Sequence, residues 1–84
     1  MIEKDKDGNI KMFVFRVTYD FGEWEEIYDT DFARGIGRAN ALKWDYMCLG
    51  NDCKAEYEWR DSFWCLPEDT EEFRRKTLQS QCVC

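Results

Sequence analysis

The chain reads as one α+β domain: a three-stranded antiparallel sheet in the order 2-1-3 with one long helix packed on a face, ββαβ(α). Three features predict it. Residues 10–19 alternate, with Phe13, Phe15, Val17 and Tyr19 on one side and Met12, Val14, Arg16 and Thr18 on the other, which is the period of a strand. Residues 30–50 place Phe32, Ile36, Ala39, Leu42, Tyr46 and Leu49 at three- and four-residue steps, the spacing of one helical face. Residues 54–60 alternate again, Ala55, Tyr57 and Trp59 inward against Lys54, Glu56, Glu58 and Arg60 outward.

Taken in order, residues 1–9 form a charged turn before the first strand. That strand is partly apolar on both sides near its start, as a central strand must be. Asp20-Phe21-Gly22-Glu23 supplies a turn with glycine where positive φ is tolerated, and residues 24–28 return as a second strand. Asp29, Thr30 and Asp31 offer cap-type side chains and negative charge to the helix start, and Gly50-Asn51 is the expected stop. Gly35 falls on the apolar stripe, where it marks a close approach of helix to sheet. A strand–helix–strand crossover makes strand three parallel to strand two, so beside strand one it is antiparallel. Asp61-Ser62 is a bend, Asp69 with Glu72 resembles a capping box, and Glu71–Arg75 and Glu72–Lys76 are favourable four-residue pairs. A short, exposed second helix held by Phe73 follows, and residues 79–84 fray.

The 84 residues make a single domain, 1–84, whose small size limits how much surface it can bury. Aromatic content of 17% supplies apolar area to a thin core, and any rings in excess suit a protein-binding face. A net charge of −6 repels phosphate backbones and anionic membranes and favours basic partners. No secretory leader or bilayer-spanning run is present, which predicts a cytoplasmic protein whose five cysteines are free thiols.

Residues 3–10 imitate part of a calcium loop, but Val14 stands where the bidentate Glu belongs. Cys48, Cys53, Cys65, Cys82 and Cys84 include soft ligands from which a zinc site can be drawn, the basis of a small zinc-binding regulator as one alternative; buried or incidental thiols are the plainer reading, and no cofactor is assigned. The chain has no histidine, so no imidazole base can serve a Cys or Ser nucleophile. Glu56 and Glu58, about 6.7 Å apart on a strand, point outward between Lys54 and Arg60 as a solvated ion-pair ladder. Arg34, Arg38 and Lys43 form a basic helix side expected to pair with neighbouring acids. No catalytic residues are assigned, and the chain is expected not to be an enzyme.

Between residues 20 and 31 lie Asp20, Glu23, Glu25, Glu26, Asp29 and Asp31 with no Lys or Arg among them. One reading is an acidic edge strand that discourages sheet-to-sheet aggregation. The other is a partner-binding surface made of Asp20, Glu23, Trp24, Glu25, Glu26, Tyr28, Asp29 and Asp31, with carboxylates standing where phosphates would lie and rings as anchors.

The strand at 13–19, the acidic span at 20–31 and the helix to Gly50 together resemble the small phage-encoded inhibitors of bacterial defence, anti-CRISPR proteins among them. The resemblance implies a non-enzymatic inhibitor in a bacterial host cytosol. Its partner would be a basic nucleic-acid-binding protein or nuclease complex, such as a CRISPR effector, with no direct nucleic-acid or membrane contact. A structural or assembly module, forming a homodimer through an exposed strand edge and Trp24 or Trp64 or docking on a larger complex, is the alternative.

Overall fold

The computed structural model describes residues 2–79. The architecture is α+β, with a four-stranded antiparallel sheet in the order β3-β1-β2-β4. Its elements are β1 (Ile10–Tyr19), β2 (Trp24–Asp29), α1 (Phe32–Met47), β3 (Ala55–Cys65), a 3-10 turn (Pro67–Asp69), α2 (Thr70–Arg75) and β4 (Thr77–Gln79). The expected 2-1-3 arrangement is present as β2-β1-β3. The expectation of three strands needs correction: Thr77 to Gln79 pairs with Ile27 to Glu25 as a fourth. Gln79, expected in the fraying tail, is therefore the end of a strand, and residues 80–84 lie outside the described residues.

β1 is central because both its faces are buried. Phe13, Phe15, Val17 and Tyr19 join Ile27, Ala39 and Ala55 beneath α1. Met12 and Val14 join Tyr28 and Cys65 on the opposite face, where Phe63 and Phe73 close over them. The turn to β2 has the Tyr19 N–H donating to the Glu23 carbonyl (2.9 Å) and Gly22 at φ +90°.

α1 starts where Asp31 accepts the N–H groups of Ala33 (3.1 Å) and Arg34 (3.4 Å). It ends at Met47, before the expected stop. Cys48 keeps right-handed backbone and donates to the Trp44 carbonyl, the Leu49 N–H donates to the Tyr46 carbonyl, and Gly50 has no positive φ. Leu49 therefore falls beyond the helix and is 75% exposed.

β3 is one continuous strand rather than a strand and a bend. The irregularity at 61–62 is a bulge: Val14 faces Asp61 and Phe15 faces Trp59, leaving Arg60 as the extra residue. The capping box is also absent, since Asp69 makes no side-chain cap bond. The 3-10 turn before α2 already occupies that backbone, its Asp69 N–H donating to the Leu66 carbonyl. Glu72–Lys76 forms at 3.6 Å, whereas Glu71 pairs with Arg74 at 2.8 Å instead of Arg75.

Gly35 is where α1 touches the sheet. A Cβ there would collide with Cε2, Cδ2 and Cζ of Phe15, a fully buried ring with no room to retreat, whereas at Gly37 it would meet nothing within 4 Å. Gly35→Ala should therefore destabilise by about 1–3 kcal/mol through overpacking, outweighing its gain in helix propensity. Gly37→Ala should stabilise by up to about 1 kcal/mol. Urea unfolding of the two variants checks both signs.

Candidate functional site

The acidic span divides into carboxylates that hold the fold and carboxylates that face outward. Asp29 belongs wholly to the first group. It is fully buried and accepts from Arg34 Nε (2.9 Å) and Nη2 (2.7 Å) and from Arg38 Nη1 (3.0 Å), with Arg74 Nε at 4.0 Å. Burial opposes its ionisation, but the bonds from Arg34, the Asp31 N–H and Arg38 outweigh burial and hold its carboxyl below the usual range. Arg34 and Arg38 thus pair with an acid as the sequence suggests, and they remove Asp29 from the partner-binding surface.

Tyr28 is also displaced from that surface. Its ring is buried against Phe63 (6.2 Å between centroids) and Phe73 (5.6 Å), and burial followed by the Glu26 charge pushes its phenol up. Glu26 is neutralised by Arg16 (2.8 Å) and approached by Arg60 (4.0 Å). Asp31 is spent on the helix cap, and its carboxyl is lowered chiefly by the Arg34 N–H. Asp29 and Glu26 share one physical reason: the cations that complement them come from β1, α1, β3 and α2, outside the twelve-residue span.

What remains outward lies at the hairpin end. Asp20 accepts from the Tyr46 hydroxyl (2.5 Å) and the Lys54 N–H (2.9 Å), joining the hairpin to the end of α1 and the start of β3. The Tyr46 bond, then the Lys54 N–H, lowers the Asp20 carboxyl, and the same bond raises the Tyr46 phenol. Glu25 accepts from the Tyr19 hydroxyl at 2.7 Å. Glu23 and Glu25 are half-buried and line an open groove of about 360 Å³ with Asp45, Trp24, Tyr19, Phe21, Leu42, Tyr46, Leu49 and Gln79. No Lys or Arg lines it among the described residues.

Comparison with known proteins finds no matching family model, curated protein or solved structure.

Seven groove residues lie outside the surface expected from the sequence: Tyr19, Phe21, Leu42, Asp45, Tyr46, Leu49 and Gln79. Element lengths carry the signal for them. β2 has six residues, about 20 Å of strand, and α1 has sixteen, about 24 Å of helix running back over it. The last turn of α1 must therefore return above the hairpin. That turn has no basic residue, so the helix dipole adds to the negative end. The nearby Lys43 is directed elsewhere, its Nζ over Trp44 (5.4 Å) and Tyr57 (5.6 Å).

A strand-edge homodimer meets a specific obstacle in β3. The Trp59 indole N–H donates to the Asp61 carbonyl (2.8 Å), and the Ser62 N–H donates to the Asp61 carboxylate (2.8 Å). With the bulge at Arg60, these contacts occupy mid-strand backbone groups and blunt the edge. Trp59 and Trp64 nevertheless leave about half their surface open, at 53% and 49%. On the α2 face, Glu58 pairs with Arg60 at 3.6 Å as part of the expected ladder.

Among the described residues, no three His, Cys, Asp or Glu side chains converge as a metal-ion site. Cys48 is exposed, Cys53 half-buried and Cys65 buried; Cys82 and Cys84 lie outside the described residues. Among the described residues, no helix is long and apolar enough to cross a membrane.

Asp29→Asn should cost roughly 1.5–3 kcal/mol, because it removes the carboxylate charge on which the partly exposed guanidinium groups of Arg34 and Arg38 converge. Its lowered folded pKa means that the stabilisation is present above about pH 4 and lost as pH falls through the folded value. Urea unfolding between pH 2 and pH 7 should show a steep acid-side loss in the parent and a shallower one in the variant.

Proposed function

We propose that this is a non-enzymatic binding protein that occupies the cationic, nucleic-acid-binding surface of a partner, in the manner of a phage anti-defence inhibitor such as an anti-CRISPR protein. The observation that carries the reading is the hairpin end. Glu23, Glu25 and Asp45 surround rings and Leu49 in a groove without a cation among its lining residues, while most other acids of the span are matched internally. Charge at that end would speed encounter with a basic surface, and burial of Phe21 and Leu49, 56% and 75% exposed in the free protein, would prolong the complex. The partner-binding surface is accordingly narrower than the acidic span and displaced toward α1: Asp20, Glu23, Trp24 and Glu25 remain in it, joined by Phe21, Asp45 and Leu49.

The double variant Glu23→Lys/Asp45→Lys tests this. Both side chains are at the surface end and neither makes an ion pair within the described fold, so thermal unfolding should shift by only a few degrees. Pull-downs from nuclease-treated bacterial lysate should retain basic nucleic-acid-binding proteins on the parent, release them as salt rises, and lose them with the variant. Equal retention by parent and variant would refute the reading.

A further inference from the structure

Trp24 stands between two sites built from the same parts, and one of them is already filled. On the sheet face away from α1, the Arg16 guanidinium carbon lies 4.1 Å from the Trp24 ring centroid. The same guanidinium reaches Glu26 Oε2 through Nε (2.9 Å) and Nη2 (2.8 Å). A planar cation there combines ring stacking with a forked carboxylate bond, an arrangement that suits arginine better than lysine. Across the strand, the groove repeats those ingredients. Tyr19 and Phe21 stack at 5.4 Å and 10°, Tyr46 meets them edge-on or tilted at 4.9 and 5.5 Å, and three carboxylates stand around them.

We propose that this groove receives an arginine side chain of the partner, its guanidinium plane against Phe21 and its N–H groups on the carboxylates of Glu23, Glu25 and Asp45. The inference rests on the docking function above and specifies its chemistry. Three features support it. Phe21 is 56% exposed, so ring surface is open to a ligand. Glu25 spends one oxygen on Tyr19 and keeps acceptor capacity. The volume, about 360 Å³, is near the lower end of the ~300–1,000 Å³ typical of ligand clefts, a size suited to one side chain rather than a folded segment. Lysine would gain from the carboxylates but less from the ring, because its ammonium is a compact, strongly hydrated point charge that cannot stack as a plane.

Capped hexa-arginine and hexa-lysine peptides of equal charge, titrated into the full chain and followed by calorimetry and amide chemical shifts, provide the test. The arginine peptide should bind about tenfold tighter, with shifts centred on residues 21–25 and 45–49. Phe21→Leu, which keeps bulk but removes the ring, should bring the arginine peptide down to the lysine peptide's affinity and leave the latter unchanged. Glu23→Lys/Asp45→Lys should abolish both. Equal binding of the two peptides, both lost in the double charge variant, would overturn arginine selectivity while the docking function stood. Binding of neither peptide, or shifts centred elsewhere, would overturn both.

Discussion

The carboxylate of Asp29 is the point on which the arrangement of layers depends. It sits at the end of β2, fully buried, and collects Arg34 and Arg38 from α1 with Arg74 of α2 nearby. Arg38 also donates to the Tyr28 carbonyl (2.7 Å) and the Arg74 carbonyl (3.2 Å), so one guanidinium touches β2 and both helices. A buried ion pair of this kind need not be more stable than well-packed apolar residues. Its value here is geometric, because the charge is tolerable only when its partners are correctly placed. Arg74 and Thr77 are separated by just two residues, and Thr77 opens β4 opposite Ile27. Holding the end of α2 at Asp29 therefore sets where the fourth strand can join the sheet.

That knot also explains which parts of the fold were legible in the sequence. Both long strands and α1 declare themselves by periodicity, and Gly35 declares the close contact with Phe15 because helix propensity alone disfavours glycine there. β4 could not be seen the same way: Thr77, Leu78 and Gln79 are too few to show a period, and all three are exposed. The bulge at Arg60 was hidden because alternation fails identically for a bulge and for a bend. Asp29 looked like a surface acid because its partners lie five, nine and forty-five residues farther along the chain. The only local hint was that Arg34 and Arg38 share a face of α1 beside the glycine and alanine that press on the sheet.

Charge counting located the acidic span correctly in sequence but not its field in space. Carboxylates of the span facing cations of other elements lose most of their outward potential, while Asp45, outside the span, is carried to the hairpin by the length of α1. The result is a smaller acidic surface than the sequence suggests, at one end of the domain. Its rings are held by neighbours: Tyr19 hydrogen-bonds Glu25, and Tyr46 hydrogen-bonds Asp20. Burial, the Glu25 bond and then the charges of Glu25 and Asp45 push the Tyr19 phenol up.

The two ends of α1 offer the strongest argument about what that surface is for. At its start the chain matches charge thoroughly: Asp31 caps the helix, and a buried carboxylate is forked by two of the helix's own arginines. At its finish, Trp44 to Met47 include an acid and no base, although a lysine or arginine there would relieve both the helix dipole and the neighbouring glutamates. The means of neutralisation is present in the same helix and is used only at one end. Fold stability does not require the mismatch at the other end, since like charges beside a helix C-terminus weaken the folded state. Under the proposed docking function a cationic partner would supply the missing complement, and the half-open rings beside the carboxylates would give it something to bury.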